Sequence, residues 1–527
     1  MEHSELKNNI TRFIEGLDKK RANGKSIDDI RYDGVPIWWF FKMRFLSGKL
    51  PLQSLKHHDI ADAIAGKRKI RFPARNQLKA YLFAKSIKYS EDLKMLVSRL
   101  NRKQSKTTGE GENIMVIAHT NAIMFNKSGF EVDRIGSVIR EIRKDDKLQE
   151  YISIVDPIAH NSLLNLLKYE NLIYRYMDRK NAMKNASKLH KQWRGMRDKF
   201  KYSSGGDREI QAHIQPVLDF VFSKEMIYFT ILYYNAYKKI IREKKIRLLL
   251  VYADTGIILR CAIMAADGLG IKTLHVSHGI GKISVNAQLP DSVYHAVLSE
   301  EYMKGYTDVG IPSRQIFVTG PVFMDDIIKY KKQETHVSKI KKILFLTWLY
   351  DDGGMDKTKY SSYIKKYLQE LNSVGDVEIT IRMHPREKDI ELYKSIVKSL
   401  GYRNVEVTES TGKKQTKDFL WKTIRDSDLV ISFGSTSSVE SLIIRTPTFI
   451  IDLFDVSSKD PIMAKGIIHV KKGKDISKTA KEMLYDEKMI MKWQRKGDQS
   501  VSKHLYEVDG KGGERALGII KGLISES

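Results

Sequence analysis

Residues 429–440 read Leu-Val-Ile-Ser-Phe-Gly-Ser-Thr-Ser-Ser-Val-Glu, and their pattern changes sharply in the middle. The short apolar run at Leu429–Ser432 is typical of a parallel strand that is buried on both faces. Small polar residues follow at 434–438, and the apolar spacing predicts a helix at 437–444. Another apolar run at 448–451 completes a predicted strand–helix–strand unit.

The same alternation extends outward from this unit. Further strands of the same series are predicted at 343–347, 377–383 and 405–408. An earlier series has predicted strands at 114–118, 151–155, 246–252, 271–276, 293–298 and 316–319. Alternating strands and helices form parallel sheets covered by helices. The sequence therefore predicts an α/β protein with a basic helical region at 1–110 and two Rossmann-like domains, one at 111–330 with a helical insertion at 161–245 and one at 331–527.

The turn after the 429–432 strand is a candidate phosphate site. Gly434 lets the backbone approach a ligand, and Ser435, Thr436, Ser437 and Ser438 add hydroxyl groups at the start of a helix. Glu440 lies where it could accept hydrogen bonds from ribose hydroxyls. The alternative is ordinary helix capping by Ser435 or Thr436, with Glu440 closing a capping box. The turn has no Gly-Lys-Ser/Thr sequence, so it is not a P-loop.

Two histidines follow other predicted strands. His384, in Arg382-Met383-His384-Pro385, could hydrogen-bond a phosphate while Arg382 adds charge. A structural turn is the alternative for this histidine. His278, in Ser277-His278-Gly279, has a glycine beside it and could act as a general base or bind phosphate.

Acidic residues also follow predicted strands. Asp254 comes after the strand at 246–252, where it is either a helix N-cap or the base that takes a proton from substrate. Asp351 and Asp352 could bind a divalent metal or act as a base, although a solvated turn is the favoured interpretation. No residue set requires a metal ion.

Composition excludes several classes of protein. The chain of 527 residues is 42% hydrophobic and 29% charged, which is ordinary for a globular protein. Its one cysteine, Cys261, excludes an internal disulfide and a cysteine zinc site, and with no apolar leader at the N-terminus it predicts a cytoplasmic protein. The net charge of +27 indicates a polyanionic partner, which could be nucleic acid, an anionic membrane or a phosphorylated substrate.

The N-terminal region carries a specific hypothesis about membranes. The aromatic run Ile37-Trp38-Trp39-Phe40-Phe41 precedes residues 51–110, which hold 14 Lys and Arg against 5 Asp and Glu. Aromatic residues beside basic helices are typical of peripheral attachment to an anionic cytoplasmic membrane face. The alternative is an aromatic core helix followed by a solvated basic surface.

The order of these motifs resembles the GT-B glycosyltransferase superfamily. It is most similar to the branch of CDP-glycerol glycerophosphotransferases and bacterial capsule polysaccharide transferases, including polysialyltransferases. The elements that match are Ser277-His278-Gly279, Met383-His384-Pro385 and Ser435-Thr436-Ser437-Ser438. The resemblance covers about residues 245–475. One departure is that Asp254 stands alone where the sialyltransferase-type families carry paired acids.

The resemblance implies an inverting glycosyltransferase or polyol-phosphate transferase without a tightly bound cofactor. Its substrates would be a UDP-, CMP- or CDP-linked donor and a glycan or lipid-linked acceptor. His384, the 435–438 turn and Glu440 would hold the nucleotide, and His278 or Asp254 would be the base.

Two alternatives remain open at this point. One is a non-hydrolysing UDP-sugar 2-epimerase, although that family's His-x-Glu-x-Gly-x-Arg element is not found here. The other is a nucleic-acid binding protein, which no zinc finger, RNP-type motif or basic zipper supports.

Overall fold

The structure is a computed structural model, and it describes only part of the chain. The described residues are 26–46, 74–100, 111–126, 129–156, 169, 171–197, 215, 217–253, 256–280, 289–332, 340–350, 355–387, 389–409, 416–453 and 461–526. They divide into two compact units. The first comprises Met1–Val276, Asn286–His295 and Gly518–Ser527, and the second comprises Ser277–Val285 and Ala296–Leu517.

Described residues between 31 and 318 form a six-stranded sheet and two small hairpins. Its strands are β1 (Arg31–Tyr32), β2 (Val35–Pro36), β3 (Glu112–His119), β4 (Ile123–Asn126), β5 (Gly129–Val132), β6 (Leu148–Val155), β7 (Ile246–Val251), β8 (Lys272–Val276), β9 (Val293–Val297) and β10 (Ile316–Val318). The helices are α1 (Ile37–Leu46), α2 (Ala74–Leu100), α3 (Gly136–Lys144), α4 (Arg179–Arg197), α5 (Lys224–Glu243), α6 (Ile257–Asp267) and α7 (Glu300–Asp308).

The order of strands in this sheet is β10-β9-β8-β7-β3-β6. The pairings of β3 with β6, β3 with β7 and β7 with β8 are parallel. The central strands β3 and β7 are continuous apolar runs, which is typical of parallel strands that are buried on both faces, and Val116 and Leu250 are fully buried. Chain order reverses direction between β3 and β7, so the carboxyl ends of these two strands form a topological switch point.

The second half of the chain contains the second sheet. Its strands are β11 (Lys341–Leu346), β12 (Val377–Arg382), β13 (Val405–Thr408), β14 (Leu429–Ser432), β15 (Thr448–Asp452) and β16 (Ile468–Lys471). The helices are α8 (Lys357–Asn372), α9 (Ile390–Leu400), α10 (Lys417–Arg425), α11 (Thr436–Ile444), α12 (Pro461–Gly466), α13 (Ser477–Tyr485), α14 (Glu487–Leu505) and α15 (Gly512–Ser525).

The second sheet is entirely parallel, in the order β13-β12-β11-β14-β15-β16. This is the doubly wound Rossmann order, in which ligands bind outside the carboxyl ends of the first and fourth strands. Those strands are β11 and β14 here. The prediction of two Rossmann-like α/β sheets is confirmed by this topology.

The aromatic cluster near the N-terminus is a core element. At most 1% of the surface is exposed in each of Ile37, Trp38, Phe40 and Phe41. The Arg260 guanidinium lies 3.7 Å from the centre of the Trp39 ring, in a cation–π contact. The hypothesis that these aromatic side chains face a membrane is therefore wrong. No helix of the described ranges is both long enough and apolar enough to span a bilayer.

A buried histidine pair links β8 to β9. Nδ1 of His275 and Nδ1 of His295 lie 3.3 Å apart, and the rings meet edge to face. Burial, reinforced by the neighbouring His275, lowers the pKa of His295 to about 3. His295 is therefore neutral at physiological pH.

Because the pKa of His295 is low in the native protein, we expect the protein to lose stability in mild acid. The unfolded chain protonates His295 below about pH 6.5 and the native chain only near pH 3, so stability falls as pH falls through that window. Between pH 7.5 and pH 5 the effect amounts to about 2 kcal/mol. Urea unfolding of the His295→Asn variant should show a weaker decrease over the same range than wild type. Equal pH dependence in both proteins would contradict the assignment.

Candidate functional site

The candidate site lies at the carboxyl edge of the second sheet. Three adjacent strands end at the same level there, because Leu346 of β11 pairs with Arg382 of β12 and Phe345 pairs with Ile431 of β14. With strands about 4.8 Å apart, β12 and β14 are separated by about 10 Å. His384 follows β12 and Gly434 follows β14. The topology thus brings both predicted phosphate elements to the switch point.

The β14–α11 turn is built for close approach of a ligand. Gly434 has φ of +90°, a conformation that residues with a side chain rarely adopt. Ser435 is the N-cap of α11, yet its side chain makes no capping hydrogen bond. Ser435, Thr436 and Ser437 are all partly exposed. The positive end of the helix and these hydroxyl groups are therefore suited to bind an anion.

Two predicted residues of this turn point elsewhere. The hydroxyl of Ser438 is fully buried and lies 2.6 Å from the hydroxyl of Ser432, so the expected contact of Ser438 with phosphate is not supported. The alternative of a capping box is also wrong, because the N3 position is Ser438 and Glu440 lies two residues further on. Glu440 is buried.

Arg382 is likewise an internal residue. Only 5% of it is exposed, and its guanidinium lies 5.2 Å from the centre of the Phe419 ring. Burial lowers the pKa of Arg382 to about 10, while the negative charge of Glu440 acts in the opposite direction. The two charges therefore compensate each other beneath the edge of the sheet. Arg382 is therefore buried, whereas the sequence analysis predicted that it adds charge to a phosphate site.

His384 has a defined tautomer. Its Nδ1 accepts a hydrogen bond of 3.2 Å from the backbone N–H of Arg386. A neutral imidazole that accepts at Nδ1 carries its proton on Nε2. The ring of Trp348, which follows β11, lies 5.7 Å from the imidazole ring. The histidine is therefore held as a hydrogen-bond donor, which is the form that a phosphate oxygen requires.

A half-buried carboxylate, which no sequence motif indicated, holds this turn in place. Glu387 accepts hydrogen bonds from the hydroxyl groups of Thr347 and Tyr393. The backbone N–H of His384 donates to Thr347 Oγ1 at 2.9 Å and to Glu387 Oε2 at 3.2 Å. Burial is the main cause that raises the pKa of Glu387. The network ties the ends of β11 and β12 together, and only the three-residue spacing from His384 could have indicated it.

We expect Glu387 to matter through the position of His384. If this edge binds a nucleoside diphosphate, as predicted from the sequence, the Glu387→Ala variant should bind that ligand about 10-fold more weakly in calorimetric titration, because the turn loses its shared acceptor. Glu391→Ala is the matched control, since Glu391 is 77% exposed and pairs only at the surface with Lys394. Equal nucleotide affinity in both variants would show that the network does not position the histidine.

The first sheet carries a polar cluster at its own switch point. Thr120, after β3, donates a hydrogen bond to the buried carboxylate of Asp156, after β6. The hydroxyl of Tyr252, after β7, accepts one from the backbone N–H of His119 at 3.5 Å. Burial raises the pKa of Tyr252. None of these residues forms a recognisable motif in the sequence, because they come together only when the strands lie side by side.

The remaining predicted residues are located only in part. His278 follows β8 and is half-buried, and Ile280, two residues on, packs against the core of the second unit. Asp254, Asp351 and Asp352 lie outside the described residues. Among the residues that the structure describes, no group of three His, Cys, Asp or Glu side chains could hold a metal ion.

A family model for UDP-N-acetylglucosamine 2-epimerase matches residues 194–521. The chain belongs to this family. The match includes every strand of the second sheet and the strands of the first sheet from β7 onward. The family places the chain among enzymes of nucleotide sugars.

Solved structures of the 2-epimerase family share its fold. A structure from Listeria monocytogenes, described as a candidate UDP-N-acetylglucosamine 2-epimerase, is 13% identical with a TM-score of 0.50 and covers 79% of this chain and 98% of its own. Another UDP-N-acetylglucosamine 2-epimerase structure is 12% identical with a TM-score of 0.50, covering 80% and 98%. The wall teichoic acid polymerase TagF is 13% identical with a TM-score of 0.42, covering 86% and 99%. No curated protein sequence matches the chain.

Membership of the 2-epimerase family corrects the main functional prediction. The sequence analysis favoured an inverting transferase of the glycerophosphotransferase and capsule branch, and that prediction is wrong. The alternative of a 2-epimerase is the better supported one. The GT-B-type fold itself is confirmed.

Proposed function

We propose that the chain is a UDP-sugar 2-epimerase and that the carboxyl edge of its second sheet binds the UDP group. The observation that carries this proposal is the pairing of two donors at one switch point: the first turn of α11, whose N-cap side chain does not cap, and His384, whose proton is on Nε2. Both lie within the residues that match the family.

The chemistry of 2-epimerisation explains why the enzyme must bind the diphosphate through hydrogen-bond donors. C2 of a UDP-sugar has no carbonyl beside it, so its proton becomes acidic enough to remove only when UDP leaves C1 in the same elimination. Adding the proton to the other face of C2 while UDP returns to C1 gives the epimer, and the reaction balances without any co-reactant. Donors aimed at the departing diphosphate stabilise its growing negative charge. His384 and the α11 terminus would supply those donors.

Proton transfer at C2 needs groups outside the diphosphate site. Asp254 and His278 are the residues that we propose for it, because a carboxylate or an imidazole can take up and return a proton, and both come shortly after predicted strands in the chain. The segment from Ser277 reads Ser-His-Gly-Ile-Gly-Lys and has no glutamate, so His278 would act where the commoner His-x-Glu-x-Gly-x-Arg element offers a carboxylate.

The test is to incubate the full chain with UDP-N-acetylglucosamine alone in D2O and to follow the sugar by proton NMR. The proposal expects deuterium at C2 and appearance of the manno epimer, with no acceptor added. UDP that binds without any exchange at C2 would confine the second unit to nucleotide binding and would overturn the epimerase assignment. Absence of UDP binding in calorimetric titration would overturn the whole proposal.

A further inference from the structure

Helix α2 exposes a continuous apolar stripe. Leu82, Tyr89, Leu93 and Leu96 are 55%, 64%, 44% and 58% exposed, and they make up half of the large apolar side chains that are exposed among the described residues. Their spacings of seven, four and three residues place them within an arc of about 60° at 100° per residue. The other four exposed apolar residues are scattered over different segments of the chain.

The opposite face of α2 is fixed to the first unit. Glu91 and Lys94 are buried and form an ion pair of 3.0 Å, and the hydroxyl of Tyr233 on α5 donates to Glu91 at 2.7 Å. Tyr228 of α5 donates to Asp92 at 2.8 Å. The helix is therefore held by one face, and the orientation of the stripe is set by contacts that are independent of it.

The charges of α2 indicate what the stripe would meet. The helix carries six Lys and Arg residues against two acids. Both acids are engaged on the protein side, since Glu91 is buried and Asp92 pairs with Lys88 at 3.0 Å and with Arg179 at 2.9 Å. The helix as a whole therefore has an excess of four positive charges.

We infer that the α2 stripe is a docking surface for an anionic lipid bilayer. An apolar face with basic residues around it lies in the interface of such a membrane, where headgroups neutralise the cations and the apolar side chains leave water. A second copy of the chain is a poorer fit, because two α2 helices facing each other would bring their lysines and arginines together without acids to match them. The surface lies within the basic region 51–110 that the sequence analysis connected with a membrane, but its apolar side chains belong to α2 and not to the aromatic cluster of α1.

The test uses the full chain and sedimentation with vesicles of phosphatidylcholine, either pure or with roughly one-third phosphatidylglycerol, at low ionic strength. Wild type should bind the anionic vesicles and should bind the neutral ones at least 10-fold more weakly. The triple variant Leu82→Ser/Leu93→Ser/Leu96→Ser should lose at least 10-fold in affinity for the anionic vesicles. Its thermal midpoint should match that of wild type, because these three side chains are exposed.

The matched control is Met491→Ser, which removes an apolar side chain that is 52% exposed on α14. This variant should bind anionic vesicles as wild type does. The inference would be overturned if wild type does not bind anionic vesicles, or if the triple variant binds them with the affinity of wild type. A wild-type dimer in light scattering without lipid that the triple variant abolishes would also overturn it and would assign the stripe to a second copy.

Discussion

The His384→Ala variant should lose two to three orders of magnitude in kcat/KM for UDP-N-acetylglucosamine, measured as C2 exchange by NMR, if the proposed function holds. The structure fixes Nε2 as the protonated nitrogen, through the hydrogen bond that Nδ1 accepts from the N–H of Arg386. Removing the imidazole takes away a donor to the leaving diphosphate. UDP affinity should fall as well, by about 10-fold, because the free nucleotide uses the same donor.

Two variants make this result specific. His384→Gln keeps an N–H donor at a similar distance from the backbone and should recover part of the lost activity. His469→Ala removes a histidine from β16 of the same sheet, whose Nε2 lies 2.8 Å from the carbonyl oxygen of Met463. It should leave UDP affinity unchanged. Full activity in His384→Ala would mean that the diphosphate is held elsewhere.

The largest effect on stability is expected for Asp325→Ala. The carboxylate of Asp325 accepts backbone hydrogen bonds from Gly512 at 3.1 Å and from Gly513 at 2.7 Å, at the start of α15. A side chain at position 512 would put its Cβ 2.8 Å from Asp325 Oδ1 and 3.1 Å from Val322 Cα, which explains the glycine there. Losing the charged acceptor should cost about 2–3 kcal/mol.

The neighbouring residue provides the comparison for Asp325. Asp326 forms a surface ion pair of 2.5 Å with Lys329, whose side chain is 68% exposed, so Asp326→Ala should cost less than about 1 kcal/mol. Calorimetry should show a thermal midpoint that is several degrees lower for Asp325→Ala than for wild type. For Asp326→Ala the midpoint should be almost unchanged. Indistinguishable midpoints would mean that the start of α15 does not need the carboxylate.

The positions of the strands in both sheets were predictable, because strands buried on both faces are continuous apolar runs, as at Leu429–Ser432. The place of His384 and of the 435–437 turn was predictable for the same reason, since parallel strands bring their carboxyl ends to one edge. The inward direction of Ser438 and Arg382 was not. Both depend on which side of a turn faces the core, and a polar residue type does not reveal that.

Other features could not be read from local sequence at all. The Glu387 network joins side chains from β11, β12 and α9, so it exists only once those elements are packed. The membrane hypothesis combined the aromatic run of α1 with the basic region 51–110, but packing within the first unit buries the aromatic side chains and leaves the stripe of α2 exposed. The functional prediction was wrong because short His-Gly and His-Pro motifs are too small to separate families that share one fold.

Helix α15 has a consequence for the order in which the protein can fold. Its residues up to Leu517 belong to the second unit and those from Gly518 to the first, where Lys521 pairs with Asp145 and the Lys272 ammonium donates to the carbonyl of Leu523 at 3.1 Å. During synthesis on the ribosome, the first unit therefore cannot complete its folding before the second unit has been translated, because its last residues come at the end of the chain. A fragment that stops at residue 276 would lack the C-terminal residues of α15 that contact Asp145 and Lys272.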